Sequence, residues 1–273
     1  MEEKTKGEMT FLEHLEELRW HIIRSALAIV IFSILAFIFK QVIFDIILLG
    51  PSKSDFWTNR MLCQLGDRLG YAGLCINQNP LTLQNTQIAG QFIAHIKISL
   101  VAGLVVGFPY MFYEFWRFIK PALYQTERQH AGGAVFYIAF LFFLGVMFGY
   151  FLITPFSVNF LYNYQVSSIV KSIPTLASYN SLITSIVLAS GILFELPVLV
   201  YFLSKVGLVT PAFLKRYRKH AVVVILLLAG IITPTPDMFT QLMVGVPMLL
   251  LYEIGIFLSR RVEKAREAAM LAG

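Results

Sequence analysis

Five long stretches of this chain contain no charged side chain, and this pattern constrains the fold more than any other feature. They are residues 25–39, 98–113, 131–170, 172–194 and 238–252. A helix needs roughly 20 apolar residues to cross the hydrocarbon core of a bilayer, which is about 30 Å thick. Only 14% of the 273 residues are charged, whereas soluble domains carry about 25%. The pattern therefore predicts an all-α polytopic membrane protein.

The apolar stretches, extended to their polar flanks, predict six transmembrane helices within a single domain spanning residues 1–273. Their approximate ranges are 22–39, 93–116, 131–153, 180–203, 221–233 and 238–258, with an extracytoplasmic segment at 41–90. If both termini share one side, the segments on that side carry 16 Lys and Arg residues, against six on the other. The positive-inside rule then places both termini in the cytoplasm. The acidic residues 1–21 lack the features of a cleavable signal peptide, so the first span is expected to stay in the mature protein.

The fifth predicted span is unusually short, at about 20 Å of helix for residues 221–233. A Thr-Pro-Thr-Pro-Asp turn, which contains Pro234 and Asp237, separates it from the sixth span. Two alternatives remain open: the two spans form a short hairpin that thins the bilayer locally, or they do not cross fully. Pro109, Pro197 and Pro247 lie inside predicted spans, where each removes a backbone hydrogen bond and can kink a helix.

Small residues repeat one turn apart in two of the spans. Gly103 precedes Gly107 by four residues, and Gly145 precedes Gly149 by the same interval. Such pairs let helix backbones approach closely in lipid. Packing within the chain is the favoured interpretation, and an interface with another chain is the alternative.

The sequence contains none of the common catalytic, nucleotide-binding or metal-binding motifs. The basic residues flank apolar spans instead of forming a stripe with interleaved aromatics. We therefore expect no enzyme, no cofactor, no metal site and no nucleic-acid partner.

Two carboxylate-bearing segments lie on the predicted cytoplasmic face. Residues 10–21 begin with a capping box and predict a short amphipathic helix at the interface, with Glu16 and Glu17 on its polar face. Glu127 lies in the first cytoplasmic loop. Two such sites could bind guanidinium groups bidentately. A solvated face for Glu16 and Glu17, and pairing of Glu127 with Arg117 or Arg128, are the simpler alternatives.

Polar residues inside the spans form a second group of candidates. Glu195 lies near the middle of span four, while Gln241 and Glu253 lie in span six. A carboxyl group at bilayer depth is costly and is by default a functional hypothesis. For Glu195, a structural hydrogen bond and a functional role are equally compatible with the sequence. Glu253 is closer to the cytoplasmic end, which favours a simple interfacial position.

Five ordered motifs resemble those of the TatC family, the receptor subunits of twin-arginine protein export. They are HLEELR at 14–19, FIKPALYQTE at 118–127, FELP at 194–197, TPTPDMFTQ at 233–241 and LYEIG at 251–255. The resemblance covers about residues 10–261 in the correct order. It implies a six-span, concave, glove-like fold with short spans five and six, in the bacterial inner membrane.

The resemblance also implies a function and a set of partners. Glu17 and Glu127 would bind the paired arginines of a signal peptide, with Arg19, Phe118 and Pro121 in the same matched motifs. The chain would assemble with single-span TatA-like and TatB-like proteins and with copies of itself, and would export folded proteins using the proton-motive force. Glu195 would lie on a membrane-embedded concave face where a partner's polar residue docks.

The segment 41–90 is longer than the family pattern leads us to expect, and it contains both cysteines, Cys63 and Cys75. An oxidising compartment would permit a disulfide between them, and two buried free thiols are the alternative. Two other functional classes remain. A proton-coupled small-molecule transporter would use Glu195 and Glu253 as a relay, but the repeated halves common in such transporters are missing. A purely structural scaffold leaves Glu195 unexplained.

Overall fold

The computed structural model describes residues 11–78, 81–119, 131–167, 169, 173–233 and 238–271. Within these residues the chain forms ten α-helices and no strand, apart from an isolated bridge between Gln84 and Thr175. The helices are α1 (Phe11–Ile38), α2 (Trp57–Leu69), α3 (Gly90–Ile119), α4 (Ala131–Phe148), α5 (Thr154–Asn163), α6 (Leu176–Leu193), α7 (Leu196–Lys205), α8 (Pro211–Arg216), α9 (Arg218–Ile232) and α10 (Met238–Leu271). Two π-helical segments lie at Val42–Leu48 and Gly149–Ile153, and two 3-10 turns at Gly50–Ser52 and Ala72–Leu74.

Among the described residues, five helical stretches are long and apolar enough to cross a membrane. They are Leu15–Ile38, Gly90–Ile119, Val135–Asn163, Leu176–Lys205 and Thr240–Ala268. The all-α polytopic membrane fold is thereby confirmed. Helix α9, the predicted fifth span, has 15 residues, which is about 22 Å of helix and less than the hydrocarbon thickness. The crossing of all six spans and the orientation of the termini stay predictions.

Contacts divide the chain into two compact units. The first contains Met1–Lys40 and His95–Phe140, and the second contains Gln41–Ala94 and Leu141–Gly273.

In the first unit, α1 runs from Phe11 to Ile38 without a break. The expected amphipathic segment at 10–21 is therefore the first part of a longer helix, because neither glycine nor proline interrupts this stretch. Helix α3 packs against it through Gly103, where an added Cβ would lie 2.8 Å from the carbonyl oxygen of Ile29. The first glycine pair thus serves packing within the chain, as predicted.

The core of the second unit is built from the Gly149–Ile153 segment, α6, α9 and α10. Its buried members are Ile153, Ile186, Ile225, Ala229, Val244 and Met248. The second glycine pair also packs within the chain: an added Cβ at Gly145 would lie 2.8 Å from Cβ of Phe194. Side-chain hydrogen bonds connect further helices, since Ser204 of α7 bonds Ser259 of α10 at 2.7 Å.

The prolines have two different effects. Pro109 and Pro247 lie inside continuous helices, α3 and α10. Pro197 instead lies in the first turn of α7, directly after the helix has broken at Phe194 and Glu195. Proline has no N–H and its ring clashes with the carbonyl of the residue four positions earlier, so the break precedes it. This break positions Glu195 between two helices of one span.

Candidate functional site

The first part of α1 presents two exposed carboxylates. Glu16 and Glu17 are both exposed, and neither pairs with a cation among the described residues. Arg19, two residues further along the helix, is also exposed, with its guanidinium carbon 5.7 Å from the centre of the Trp20 ring. An exposed carboxylate without a partner is free to accept hydrogen bonds from a cationic ligand.

The end of α3 lies beside this turn of α1. The ring of Phe118 meets that of His21 edge to face, with 6.0 Å between centroids. His21 follows Glu17 by four residues and therefore lies one helical turn away on the same side of α1. Phe118 is thus linked to the turn of α1 that carries Glu17 through its contact with His21. Pro121 and Glu127 belong to the segment that leaves α3 after Ile119, and both lie outside the described residues.

A buried hydrogen-bonded contact joins α1 and α3 beside Phe118, within the first unit. His21 Nδ1 lies 2.5 Å from Glu114 Oε2, and the Tyr110 hydroxyl donates to Glu114 Oε1 at 2.9 Å. Glu114 is 2% exposed and His21 8% exposed. Each carboxylate oxygen therefore has a partner, which is the condition for retaining a buried charge.

The triad of His21, Tyr110 and Glu114 is absent from the candidates that the sequence provides. His21 and Glu114 are 93 residues apart, and no pattern within either helix reveals their pairing. A signal is nevertheless present: Tyr110 and Glu114 stand at i and i+4 near the end of an apolar helix, a spacing that brings a hydroxyl and a carboxylate together. An intramembrane carboxylate of this kind is expected to have a polar partner on a neighbouring helix.

In the second unit, Glu195 occupies the break between α6 and α7. Both of its carboxylate oxygens are buried and make no hydrogen bond within the described part of the chain. The backbone of Phe142 on α4 is a polar neighbour of this carboxyl group, although it does not complete a hydrogen bond of normal geometry to either oxygen. The preceding residue, Phe194, is buried, with its ring centre 5.3 Å from that of Phe148. Burying a carboxyl group without a partner is costly, which keeps Glu195 among the candidate site residues.

The two polar residues of α10 have partners within the unit. Gln241 donates from Nε2 to the carbonyl oxygen of Leu226 at 3.0 Å, which joins α10 to α9. Glu253 is exposed and forms an ion pair with Arg218, with 2.8 Å between Oε2 and Nη2. The structure therefore does not bring Glu253 together with Glu195 as a pair of free carboxylates. Pro234 and Asp237, in the turn between α9 and α10, lie outside the described residues.

Cys63 and Cys75 form a disulfide that links α2 to the chain just after the 3-10 turn at Ala72–Leu74. Asp67 lies close to both sulfurs, and the three side chains would otherwise have the composition of a metal site. Because the two sulfurs are bonded to each other, neither is available as a thiolate ligand.

The chain is similar to known proteins along most of its length. A family profile described as Sec-independent protein translocase protein (TatC) matches residues 13–247. The chain is 44% identical to the TatC of Blattabacterium over 264 residues, which cover 96% of this chain and 98% of that protein. It is 34% identical to the TatC of Aquifex aeolicus over 261 residues, which cover 95% and 98%.

Two solved structures agree with these sequence matches. A crystal structure of the twin-arginine translocase receptor TatC superposes with a TM-score of 0.67 at 32% identity, covering 92% of this chain and 100% of that one. A second crystal structure, of TatC in the detergent DDM, gives a TM-score of 0.69 at 33% identity, covering 90% and 99%. Family, length and fold all agree, and the chain belongs to the Sec-independent protein translocase (TatC) family.

Proposed function

We propose that this subunit of the Sec-independent protein translocase binds twin-arginine signal peptides at its cytoplasmic face, through carboxylates on Glu17 and Glu127. The observation that carries the proposal is the exposure of the Glu17 carboxylate. It is an exposed carboxylate without a cationic partner among the described residues, and it stands one helical turn from His21, whose ring contacts that of Phe118. Arginine suits such a site because its planar guanidinium can donate two parallel hydrogen bonds to one carboxylate.

Connectivity supports a shared site for the two carboxylates. Pro121 follows Phe118 by three residues, so at most about 10 Å of extended chain separates them. Glu127 follows Phe118 by nine residues, and the intervening chain is long enough for its side chain to return to Glu17. The aromatic ring of Phe118 and the stacked pair of Arg19 and Trp20 would form the border of this site.

We further propose that Glu195 is the docking point for a polar side chain of a single-span partner resembling TatA or TatB. Both carboxylate oxygens are buried without a hydrogen bond within the described residues, at a place where the helix backbone is interrupted. A partner helix that brings a hydroxyl or amide would satisfy them. Gln241 of α10 has its own backbone partner and would shape the polar surroundings.

The remaining parts of the proposal follow from family membership and the charge pattern. The protein would lie in the bacterial inner membrane with both termini in the cytoplasm, assemble with further copies of itself, and export folded cargo using the proton-motive force. Its role is recognition and assembly, without catalysis. Reporter fusions to the C-terminus test the orientation: a cytoplasmic reporter active at this position agrees with it, and a periplasmic reporter active there contradicts it.

Photocrosslinking of a twin-arginine signal peptide to the purified protein tests the binding site. We expect Glu17→Gln and Glu127→Gln each to weaken the peptide's affinity by about 1.5–3 kcal/mol, or roughly 10- to 100-fold, because each removes a charge-assisted hydrogen bond. Glu16→Gln is the matched control, since it removes the same charge from the adjacent exposed position.

The ligand provides a second control. A peptide with both arginines changed to lysine should lose affinity for the unaltered protein, because lysine cannot form the bidentate contact. The same change should matter little in the Glu17→Gln, Glu127→Gln double variant. Undiminished crosslinking of the arginine peptide to that double variant would contradict the proposed site.

The transporter alternative has no observation in its favour. A proton relay would need Glu195 and Glu253 as exchangeable carboxylates along one path. Glu253 is instead exposed and paired with Arg218. The contact joins α9 to α10 and leaves Glu195 without the second relay member.

A further inference from the structure

Helix α2 (Trp57–Leu69) carries an exposed apolar face that the translocase proposal does not use. Trp57, Met61, Leu65 and Leu69 recur every four residues and are 55%, 55%, 47% and 67% exposed. With 3.6 residues per turn, these four positions cover an arc of about 120° along one side of the helix. We call them the apolar stripe.

The rotation of α2 about its axis is set by buried contacts of three residues. Asn59 and Gly66 lie about 140° and about 120° around the helix from the centre of the stripe, and Thr58 lies at its edge, between Leu65 and Leu69 in projection. Thr58 donates to the carbonyl oxygen of Phe151 at 2.6 Å, and Asn59 donates to that of Lys53 at 2.8 Å. Both side chains are buried. At Gly66 the carbonyl oxygen of Tyr71 approaches so closely that an added Cβ would lie 2.8 Å from it. These contacts hold the apolar stripe outward.

The disulfide reinforces the same orientation. Cys63 lies about 180° around the helix from the centre of the apolar stripe, and its bond to Cys75 therefore ties down the opposite side. The four side chains of the stripe stay 47–67% exposed, although Trp57 contacts Phe151 and the helix is anchored at both ends.

We propose that α2 lies flat in the interface of the membrane that the chain itself spans, with the apolar stripe inserted among the lipids. The first turn of α2 contacts a membrane-spanning helix. Phe151 belongs to the stretch Val135–Asn163, and the centre of the Trp57 ring lies 6.1 Å from that of the Phe151 ring. Phe151 lies two residues before the end of the sequence-predicted span 131–153, so the first turn of α2 lies near the predicted end of that span. A lipid surface is thus the occupant nearest to the stripe.

The side chains that border the stripe fit lipid headgroups. Trp57 and Tyr71 stand at its two ends, and amphipathic aromatic rings of this kind favour the headgroup region. Arg60 and Arg68 are both exposed on α2: Arg60 lies beside the stripe, about 60° from Trp57, and Arg68 lies within its arc, between Trp57 and Met61 in projection. Their guanidinium groups can reach lipid phosphates while the stripe enters the acyl boundary, to a depth of about 5–10 Å.

Tryptophan fluorescence in nanodiscs with a single chain each tests this arrangement. In a Trp57→Phe background, Leu65→Trp places a reporter at the centre of the stripe. Asp67→Trp places one about 160° away on the same helix. Both positions are exposed, so neither change should disturb the fold. Subtracting the signal of Trp57→Phe alone removes the contribution of the two remaining tryptophans.

Discs of phosphatidylcholine with bromine near the top of the acyl chain should quench the Leu65→Trp reporter at least about twofold more than the Asp67→Trp reporter, because only the former reaches the lipid. Acrylamide in the aqueous phase should show the reverse preference. Equal quenching of both reporters by acrylamide, with none by bromolipid, would overturn the proposal by placing the stripe in water. Protection of the Leu65→Trp reporter from both quenchers would overturn it by showing that protein covers the stripe.

Discussion

Glu114 and Glu195 both lie in membrane-spanning helices, but the two carboxylates differ in the hydrogen-bond partners that the described residues provide. Glu114, in the first unit, is contacted on both oxygens, by His21 at 2.5 Å and by Tyr110 at 2.9 Å. Glu195, in the second unit, has two buried oxygens with no hydrogen bond among the described residues. An unsatisfied buried polar group costs free energy that a paired one does not.

The backbone also differs between the two positions: the helix is continuous at Glu114 and interrupted at Glu195. Glu114 lies inside the unbroken helix α3, whose neighbour α1 supplies its partner. Glu195 lies at an interruption between α6 and α7. A carboxylate with all its partners inside the chain stabilises the fold. One without them, held at a break in the helix, is placed to receive a partner from outside. This contrast supports a structural role for Glu114 and is the basis of the docking role proposed for Glu195.

The largest effect should follow from removing the structural carboxylate. Glu114→Ala leaves His21 and the Tyr110 hydroxyl buried without their acceptor, and we expect a loss of about 3–5 kcal/mol in the free energy of unfolding. Titration of the purified protein with a denaturing detergent measures this loss.

A double-mutant cycle separates the pair from its surroundings. Because His21→Ala also removes the orphaned ring, the double variant should be more stable than the sum of the single losses implies, by about 0.5–3 kcal/mol. If Glu114→Ala cost less than about 1 kcal/mol, Glu114 would be no more structural than Glu195, and the contrast between the two carboxylates would disappear.

The sequence predicts the spans well and their interruptions poorly. Apolar length follows directly from bilayer thickness, so predicted spans such as 93–116 fall inside the observed helix Gly90–Ile119. At Pro197 the sequence predicts a kink, but not that the two turn residues that separate α6 from α7, both with right-handed helical dihedrals, are Phe194 and Glu195. The π-helical segment Gly149–Ile153 has no recognisable signal in the sequence, since it is an irregularity of tertiary packing.

The candidate sites also divide into residues that the sequence identifies and contacts that only the tertiary structure shows. Glu17, Glu195 and the two cysteines can be identified from the sequence because a carboxylate or a lone cysteine pair is conspicuous in an apolar chain. The pairing of His21 with Glu114 depends on how α1 and α3 align, and no local pattern contains that register. The stripe on α2 does have a local pattern, with apolar residues every four positions. Its exposure depends on the tertiary contacts of α2, so the sequence alone indicates only an enlarged extracytoplasmic cap at 41–90.

A substitution at a glycine near Glu195 should have an effect of intermediate size and tests how tightly the helix interruption at Glu195 is packed. Gly145→Ala places a methyl group against Cβ of Phe194, 2.8 Å from the position of the new carbon. We expect a destabilisation of about 1–3 kcal/mol, because overpacking forces a backbone or rotamer shift. The same detergent titration measures it.

Gly133→Ala is the matched control in α4, where the nearest atom to an added Cβ is the Tyr137 ring at 3.7 Å. This substitution should be neutral or slightly stabilising, since alanine is the better helix former. Gly145→Ala should also weaken partner crosslinking near Glu195, because Phe194 and Glu195 are adjacent. Unchanged stability and crosslinking would show that the break is looser than its contacts indicate.

The smallest energetic effect and the sharpest functional one should come from Glu195 itself. Side-chain hydrogen bonds inside membranes average about 0.6 kcal/mol and reach about 1.7 kcal/mol, so Glu195→Gln and Glu195→Ala should leave the fold intact. A photocrosslinker at Ile192, which is 65% exposed and lies one turn before Glu195, reports association with a TatA-like or TatB-like helix. We expect partial crosslinking with Gln, which still donates and accepts, and none with Ala. Signal-peptide binding at Glu17 should be unchanged in both variants, since that site belongs to the other unit.

Equal crosslinking in the glutamate, glutamine and alanine forms would remove the docking role and leave Glu195 as an unpaired group without an assigned purpose. Loss of signal-peptide binding together with partner crosslinking would instead show that the two carboxylate sites are coupled, and that docking and structure are not separated between the two units.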